Sequence, residues 1–159
     1  MRIFFDTEFI EDGKTIELLS IGMVREDGEI YYAVVADADW ERAKAHPWLA
    51  QNVIPHLPNK DGGIPYRTRK QIASDVIEFA GKDPEFWADY GSYDWVALCQ
   101  LYGTMMGLPS HFPMFVRDIQ QLKPKGVKFA EMDGTAHNAL DDALDCKSRY
   151  EQCTREATK

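Results

Sequence analysis

Residues 2–35 read RIFFDTEFIEDGKTIELLSIGMVREDGEIYYAVV, and this stretch decides the fold. Its first part, Arg2–Thr7, is apolar and aromatic and predicts a short strand. Ile16–Arg25 is a near-continuous apolar run, which is typical of a central strand covered on both faces. A Glu-Asp-Gly-Glu turn then leads into Ile30–Val35, which is rich in β-forming residues. The chain is therefore predicted to open with three antiparallel strands, the first two joined by a turn over Phe9–Thr15.

After this meander, helices and strands alternate. The predicted elements are a helix from the N-cap Thr68 to about Ala80 that Gly81 ends, a strand over Pro84–Tyr90, a helix capped by Ser92 and ending near Gly103, a strand over Met114–Ile119, and a last helix from about His137 to Thr154. Residues 36–66 are less regular, with short helical pieces around Trp40–Ala45 and Pro47–Ile54, and Lys123–Gly134 predicts a loop. The alternation implies parallel strand pairing beside the meander. We therefore expect an α/β fold with a mixed five-stranded sheet and helices on both faces.

Length and composition exclude several classes of protein. The 159 residues suit a single domain over 1–159, and 45% apolar with 28% charged residues is close to the globular average. No stretch approaches the roughly 18 to 20 apolar residues of a membrane span, so no membrane association is expected. The early Asp6 interrupts any signal-peptide core, which makes the cytoplasm the expected location. Three cysteines without a Cys-x-x-Cys pair argue against a disulfide framework and a zinc site.

The net charge of −8, from 18 basic and 26 acidic residues, argues at first against a nucleic-acid partner. That objection weakens if several acids hold divalent cations, because carboxylates neutralised by bound ions no longer repel a polyanion. The acids therefore have to be located one by one.

The first group of acids is Asp6-Thr7-Glu8 at the end of the first predicted strand. Residues two apart in a strand project to the same face, so the carboxylates of Asp6 and Glu8 can converge on one point. Two hard oxygen donors on one face favour a hard cation such as Mg²⁺ or Mn²⁺. The alternative is a strand that simply ends in solvated acids.

Two further groups follow later in the chain. Asp94 lies in the first turn of the helix after a predicted strand, where ligand crevices form in open α/β sheets, although the helix dipole alone also favours an acid there. His137 precedes Asp141 and Asp142 at the start of the last helix. A histidine there is commonly an ordinary polar residue, and the two acids can likewise serve the helix dipole.

The order of these groups resembles the DEDDh group of 3′-5′ exonucleases in the ribonuclease H-like superfamily. Asp6 and Glu8 fall on its first motif, Asp94 on its second, and HNALDD at 137–142 on its third, His-x-Ala-x-x-Asp. The resemblance spans residues 1 to about 150. The second motif departs from the Asn-Ala-x-Phe-Asp of proofreading members, because this chain has YGSYD at 90–94, which weakens a DNA-proofreading assignment.

A match that extends to residues with no catalytic duty narrows the resemblance to the bacterial polyadenylate-specific exoribonuclease family RNase AS. The matching segments are FDTEFIEDG at 5–13, IEL at 16–18, YYAV at 31–34, YD at 93–94 and VALCQL at 96–101. The family resemblance implies a ribonuclease H-like three-layer fold and 3′-5′ hydrolysis of single-stranded RNA to nucleoside 5′-monophosphates, with adenylate tracts as the suspected preference. It also implies a homodimer.

The resemblance further implies two Mg²⁺ or Mn²⁺ ions and a role for each site residue. Asp6 would bridge the ions, Glu8 and Asp142 would complete the water-activating site, and Asp94 would serve the leaving-group site. His137 would accept the proton of the attacking water, since histidine titrates near neutral pH. Helical periodicity by itself leaves Asp141 as an alternative to Asp142.

Substrate contacts are less well defined by the sequence. Thr7 and Phe9 are candidates to bind the terminal sugar or base, with an ordinary core position as the alternative for Phe9. The four tryptophans are expected in the core or at an interface rather than as base platforms; they are Trp40, Trp48, Trp87 and Trp95. Basic residues that could guide the phosphate backbone are Arg67, Arg69, Lys70, Lys123, Lys125 and Lys128, with a solvated surface as the alternative for each.

Two other functions stay open at this point. The first is the same hydrolysis on single-stranded DNA or on very short oligonucleotides. The second is a catalytically inactive module that binds metal or RNA, which is disfavoured because all five catalytic positions of the motif are present.

Overall fold

The computed structural model describes residues 1–58, 63–64, 66–123, 128–129 and 136–156. Its strands are β1 Arg2–Glu11, β2 Ile16–Arg25, β3 Ile30–Val35, β4 Tyr66–Arg67, β5 Glu85–Ala88 and β6 Arg117–Asp118. Its helices are α1 Trp40–Ala45, α2 Pro47–Asn52, α3 Arg69–Ala80, α4 Ser92–Gln100 and α5 Ala139–Glu156. The predicted mixed α/β class is confirmed.

The described strands form one sheet in the order β4-β3-β2-β1-β5-β6. The meander β1-β2-β3 is antiparallel, whereas β4, β5 and β6 each pair in parallel with a neighbour. The prediction of five strands is wrong, since the sheet has six. The additional strand, β4, is only Tyr66–Arg67 and pairs with Val34–Val35, so it is too short to leave a periodic pattern in the sequence.

Strand β1 is longer than predicted and runs through the expected turn as far as Glu11. Glu8 pairs with Ser20 and Phe9 with Leu18, so Leu19 of β2 has no partner in β1. This is a β-bulge, a feature that often re-aims side chains beside active sites. The true turn is confined to residues 12–15, where Asp12 accepts the N–H groups of Lys14 and Thr15 at 2.9 and 2.7 Å.

Helices cover both faces of the sheet because inward and outward side chains alternate along the strands. On one face the buried core joins strand residues such as Phe5 and Met23 to α3 and α4. On the other face Phe4 and Val24 pack with Cys146 of α5. Helix α5 therefore lies on the face to which Asp6, two residues after Phe4, also projects.

The ends of several elements differ from the prediction. Thr68 and Gln71 form the capping box of α3, which confirms the predicted start of that helix. Helix α4 has Gly91 as its N-cap, not Ser92. Helix α5 begins at Ala139, because Asn138 Oδ1 accepts the first free N–H groups of the helix. Most of the predicted loop Lys123–Gly134, including Lys125, lies outside the described residues.

All three cysteines are buried. In the described part of the chain, no helix has the length and apolar character needed to cross a bilayer.

Candidate active site

A cleft of about 370 Å³ opens near the carboxyl ends of β1 and β5. Its lining residues are Asp6, Thr7, Glu8, Phe9, Trp48, Asp89, Tyr90, Asp94, His137, Asp142, Asp145 and Arg149. The structure therefore brings all five candidate catalytic residues, and both candidate substrate contacts, to the same cleft. They come from β1, from α4 and from the start of α5, which are far apart in sequence.

Three carboxylates form the centre of the cleft. One oxygen each of Asp6, Glu8 and Asp142 lies within 4.8 Å of the other two. Within the described ranges, Asp141 does not join this group, so the geometry favours Asp142 over its neighbour. Asp94 lines the same cleft outside the group of three. We call Asp6, Glu8 and Asp142 the carboxylate triad.

Gly22 allows α5 to reach the triad. It is the partner of Asp6 across the β1-β2 ladder, and a Cβ atom built on it would lie 2.3 Å from the carbonyl carbon of Ala139. Only glycine leaves room for the helix backbone at this point. The first turn of α5 therefore rests directly on β2, and Asp142, three residues beyond Ala139, is carried to Asp6.

Asp94 is held by β1 itself. Strand β5 pairs with β1 only over Arg2–Phe4, which leaves the later part of that edge without a strand partner. There the backbone N–H and the hydroxyl of Thr7 both donate to Asp94 Oδ1, at 2.9 and 2.6 Å. These two groups of Thr7 thus position Asp94. A contact of Thr7 or Phe9 with the sugar stays a prediction.

The acids of the cleft are held in an environment that disfavours their charged forms. Desolvation, followed by the charges of Asp142 and Asp94, raises the pKa of Glu8 to about 8. Desolvation also raises the pKa values of Asp94 and Asp142 to about 6, against the opposing hydrogen bonds of Thr7 and the charge of His137, respectively. The pKa of Asp6 is well above its ordinary value for the same reasons. A divalent cation would relieve this repulsion.

A pH-dependent stability follows from Glu8, which is only 7% exposed. Its pKa rises from 4.5 to about 8 on folding, so the folded protein binds the extra proton and its stability falls as the pH rises through this interval. In EDTA, we expect Glu8→Gln to melt close to wild type at pH 5 but roughly 10 °C higher at pH 8. Differential scanning calorimetry of both proteins measures this difference. A gap that is independent of pH would contradict the raised pKa.

His137 stands at the mouth of the cleft, just before α5, with a positive φ of 63°. Its ring meets the Trp48 ring edge to face, with centroids 4.8 Å apart. Trp48 is 47% exposed, so its side chain does not lie in the core of this chain, and an interface position stays a prediction. Nothing in the sequence around Trp48 signals its place beside His137, because α2 reaches the cleft only through the tertiary fold.

Arg149 and two further acids complete the wall of the cleft. Arg149 forms ion pairs with Asp89 and, at 2.6 Å, with Asp145. Asp145 and Arg149 follow Asp142 by three and seven residues, so they share one face of α5. This helical spacing from Asp142 is the feature of the sequence from which Asp145 and Arg149 could have been predicted to lie at the site. Arg149 thus pairs with Asp89 and Asp145, and among the described residues it forms no salt bridge with the triad.

The described basic residues among those predicted to guide the phosphate backbone do not line the cleft. Arg67 pairs with Asp75 and Arg69 with Glu17, and neither arginine lines the cleft. Lys123 sits over the ring of Phe129, with its Nζ 4.5 Å from the centroid. A role for these cations in guiding RNA stays a prediction.

Comparison with known proteins gives a consistent set of relatives. Residues 1–154 match a family described as the 3′-5′ exoribonuclease Rv2179c-like domain. Two relatives from Mycobacterium tuberculosis are named 3′-5′ exoribonuclease Rv2179c, in strain H37Rv, and 3′-5′ exoribonuclease MT2234.1, in strain CDC 1551. Each is 46% identical over 160 aligned residues, which cover 97% of this chain and 94% of the relative.

Proposed function

We propose, since the chain belongs to the Rv2179c-like 3′-5′ exoribonuclease family, that it removes nucleoside 5′-monophosphates from the 3′ end of single-stranded RNA and prefers adenylate tracts. The observation that carries the proposal is the carboxylate triad in one cleft with His137. We also assign the chain to the DEDDh group with a ribonuclease H-like layout. A cytoplasmic homodimer is the expected form of the protein.

The donor set of the cleft supports the proposal of two bound Mg²⁺ or Mn²⁺ ions. The triad offers hard carboxylate oxygens within 4.8 Å of one another, and their raised pKa values mean that a cation would stabilise the ionised forms. Asp6, Glu8 and Asp142 would hold one ion, and Asp6 with Asp94 would serve the other. When bound, the ions would supply water activation and charge stabilisation at the phosphate.

The residues of the chain then have separate tasks. His137 takes a proton from the attacking water, whose oxygen forms a new bond to phosphorus while the bond to the 3′ oxygen of the preceding nucleotide breaks. The departing 3′ oxygen takes a proton from solvent, so the products are the nucleoside 5′-monophosphate and an RNA that is shorter by one residue and ends in a 3′ hydroxyl. Thr7 keeps Asp94 in place through its two hydrogen bonds. The Trp48 ring limits the rotation of the His137 imidazole.

A digestion time course tests the proposal. The substrates are 5′-labelled 20-mers of adenylate, uridylate and deoxyadenylate, together with an adenylate dimer, each with Mg²⁺ and with EDTA. We expect one-nucleotide ladders on adenylate RNA, slower loss of uridylate RNA, and no product in EDTA. Faster loss of the DNA or of the dimer would favour the alternative substrates, and RNA binding without any product would favour an inactive module.

The role of His137 is tested with asparagine, which tolerates the positive φ of this position better than alanine does. We expect His137→Asn to lower kcat about 100- to 10,000-fold, because the general base is lost. The rise in Tm on adding Mg²⁺ should survive, since the triad is intact. His111→Asn is the matched control, as that histidine lies outside the cleft. If His137→Asn lowered kcat and also abolished the rise in Tm on adding Mg²⁺, His137 would act through the metal site.

A further inference from the structure

Tyr90 has an unusual backbone for its residue type. Among the described residues other than glycine, only Tyr90 and His137 have positive φ values, 55° and 63°, and both line the cleft. A bulky aromatic residue in the left-handed region costs free energy, and such strain tends to persist where function requires it. Asparagine tolerates this conformation well. A tyrosine at this position is therefore unexpected on conformational grounds alone.

The neighbours of Tyr90 impose its conformation. Asp89 is held by Gln120 at 2.6 Å and by Arg149, while the N–H of Gly91 donates to Asp118 at 3.2 Å. The carbonyl of Tyr90 accepts the N–H of Ser92 at 2.8 Å, which closes the turn into α4. None of these contacts uses the Tyr90 side chain, so any residue that tolerates a positive φ could occupy the turn.

The Tyr90 side chain instead faces solvent at the cleft. It is 74% exposed, and in the described part of the structure its ring makes no aromatic, ionic or hydrogen-bond contact. The rest of the cleft is acidic at its centre, with the exposed ring of Trp48 also on its wall. Exposed aromatic rings beside a site of phosphodiester cleavage can stack on unpaired bases, because every base has a π-face.

We propose that Tyr90 is a substrate-binding residue that stacks on an unpaired base of the bound RNA strand. This inference rests on the proposed function and adds one residue to it. A binding role of the ring would explain why a tyrosine occupies a strained backbone position, since stacking on the substrate would offset the cost of that strain. Tyr90 would thereby contribute to KM and not to the chemical step.

Three substitutions separate stacking from a structural role. Tyr90→Gly removes both the ring and the backbone strain, so we expect the Tm to rise by about 2 °C while KM for an adenylate 12-mer rises about tenfold and kcat stays within twofold. Tyr90→Phe and Tyr90→Trp keep a ring and should retain a KM near wild type. Phe115→Ala is the control, because that aromatic is 55% exposed but lies outside the cleft. If Tyr90→Gly left KM unchanged, the proposal would fail.

A set of abasic substrates tests the stacking partner directly. Each 12-mer carries one abasic residue at one of its four 3′-terminal positions. We expect one position at which loss of the base raises the wild-type KM about tenfold and at which Tyr90→Gly has no further effect. If, at every position, the fold-increases in KM from the lost ring and from the lost base multiply, the two act independently and Tyr90 does not stack. Failure of wild type to cut any RNA would instead reject the proposed function.

Discussion

Replacing Asp6 with asparagine is expected to lower kcat on adenylate RNA by about a thousandfold and, at the same time, to raise the Tm of the metal-free protein. Asp6 would help to hold both cations of the proposed site, so its loss would weaken the charge stabilisation that they supply. Without metal, its carboxylate is desolvated and faces Asp94, Asp142 and Glu8, all of which disfavour its charge. The neutral amide removes that repulsion.

The measurement pairs single-turnover kinetics with melting curves in EDTA at pH 8. Asp142→Asn should behave in the same way, whereas Asp141→Asn is the matched control, because Asp141 is outside the triad although adjacent in sequence. Full activity of Asp6→Asn would refute the metal assignment. A lower Tm of Asp6→Asn in EDTA would show that the triad is stabilising even without a cation.

Replacing Gly22 with alanine is expected to lower kcat about a hundredfold although Gly22 lines no part of the cleft. The added Cβ would meet the Ala139 backbone at 2.3 Å, which is far inside van der Waals contact, and backbone atoms cannot move aside as a flexible side chain can. The start of α5 must therefore shift, and Asp142 with it. Small misplacements of catalytic groups cost orders of magnitude in rate.

The same variant should lose stability, with a fall in Tm of roughly 5 °C, because overpacking a core costs a few kcal/mol. Gly13→Ala is the control: its φ of 79° is strained for alanine, yet its Cβ would meet no atom within 4 Å. We expect Gly13→Ala to lower the Tm and to keep kcat. If Gly22→Ala, assayed well below its Tm, matched wild type in kcat and in the Mg²⁺ concentration for half-maximal rate, the positioning role of Gly22 would be excluded.

These predictions describe a conflict between stability and function. Burial of four acids near one another raises their pKa values and destabilises the metal-free fold at neutral pH. The same arrangement favours a bound cation. A net charge of −8 would therefore be compatible with an RNA substrate, because cations bound at the cleft would neutralise part of that charge.

Local patterns in the sequence determined much of the fold. The apolar runs of the opening meander predicted β1, β2 and β3, and Thr68 marked the start of α3. The spacing of the acids and His137 matched the family motifs, and that resemblance predicted that these residues meet in one cleft. These features are readable because alternation in strands and caps at helix ends depend on residues close together in the chain.

Only the tertiary structure decided the rest, because it depends on contacts between distant segments. Two-residue strands such as β4 exist only through their neighbours in the sheet. The spacing of the family motif indicated Asp142, but helical periodicity left Asp141 open, and only the packing of α5 on Gly22 shows which of the two side chains joins the triad. The approach of Trp48 to His137 and the exposure of Tyr90 at the cleft likewise come from packing, which a linear pattern does not encode.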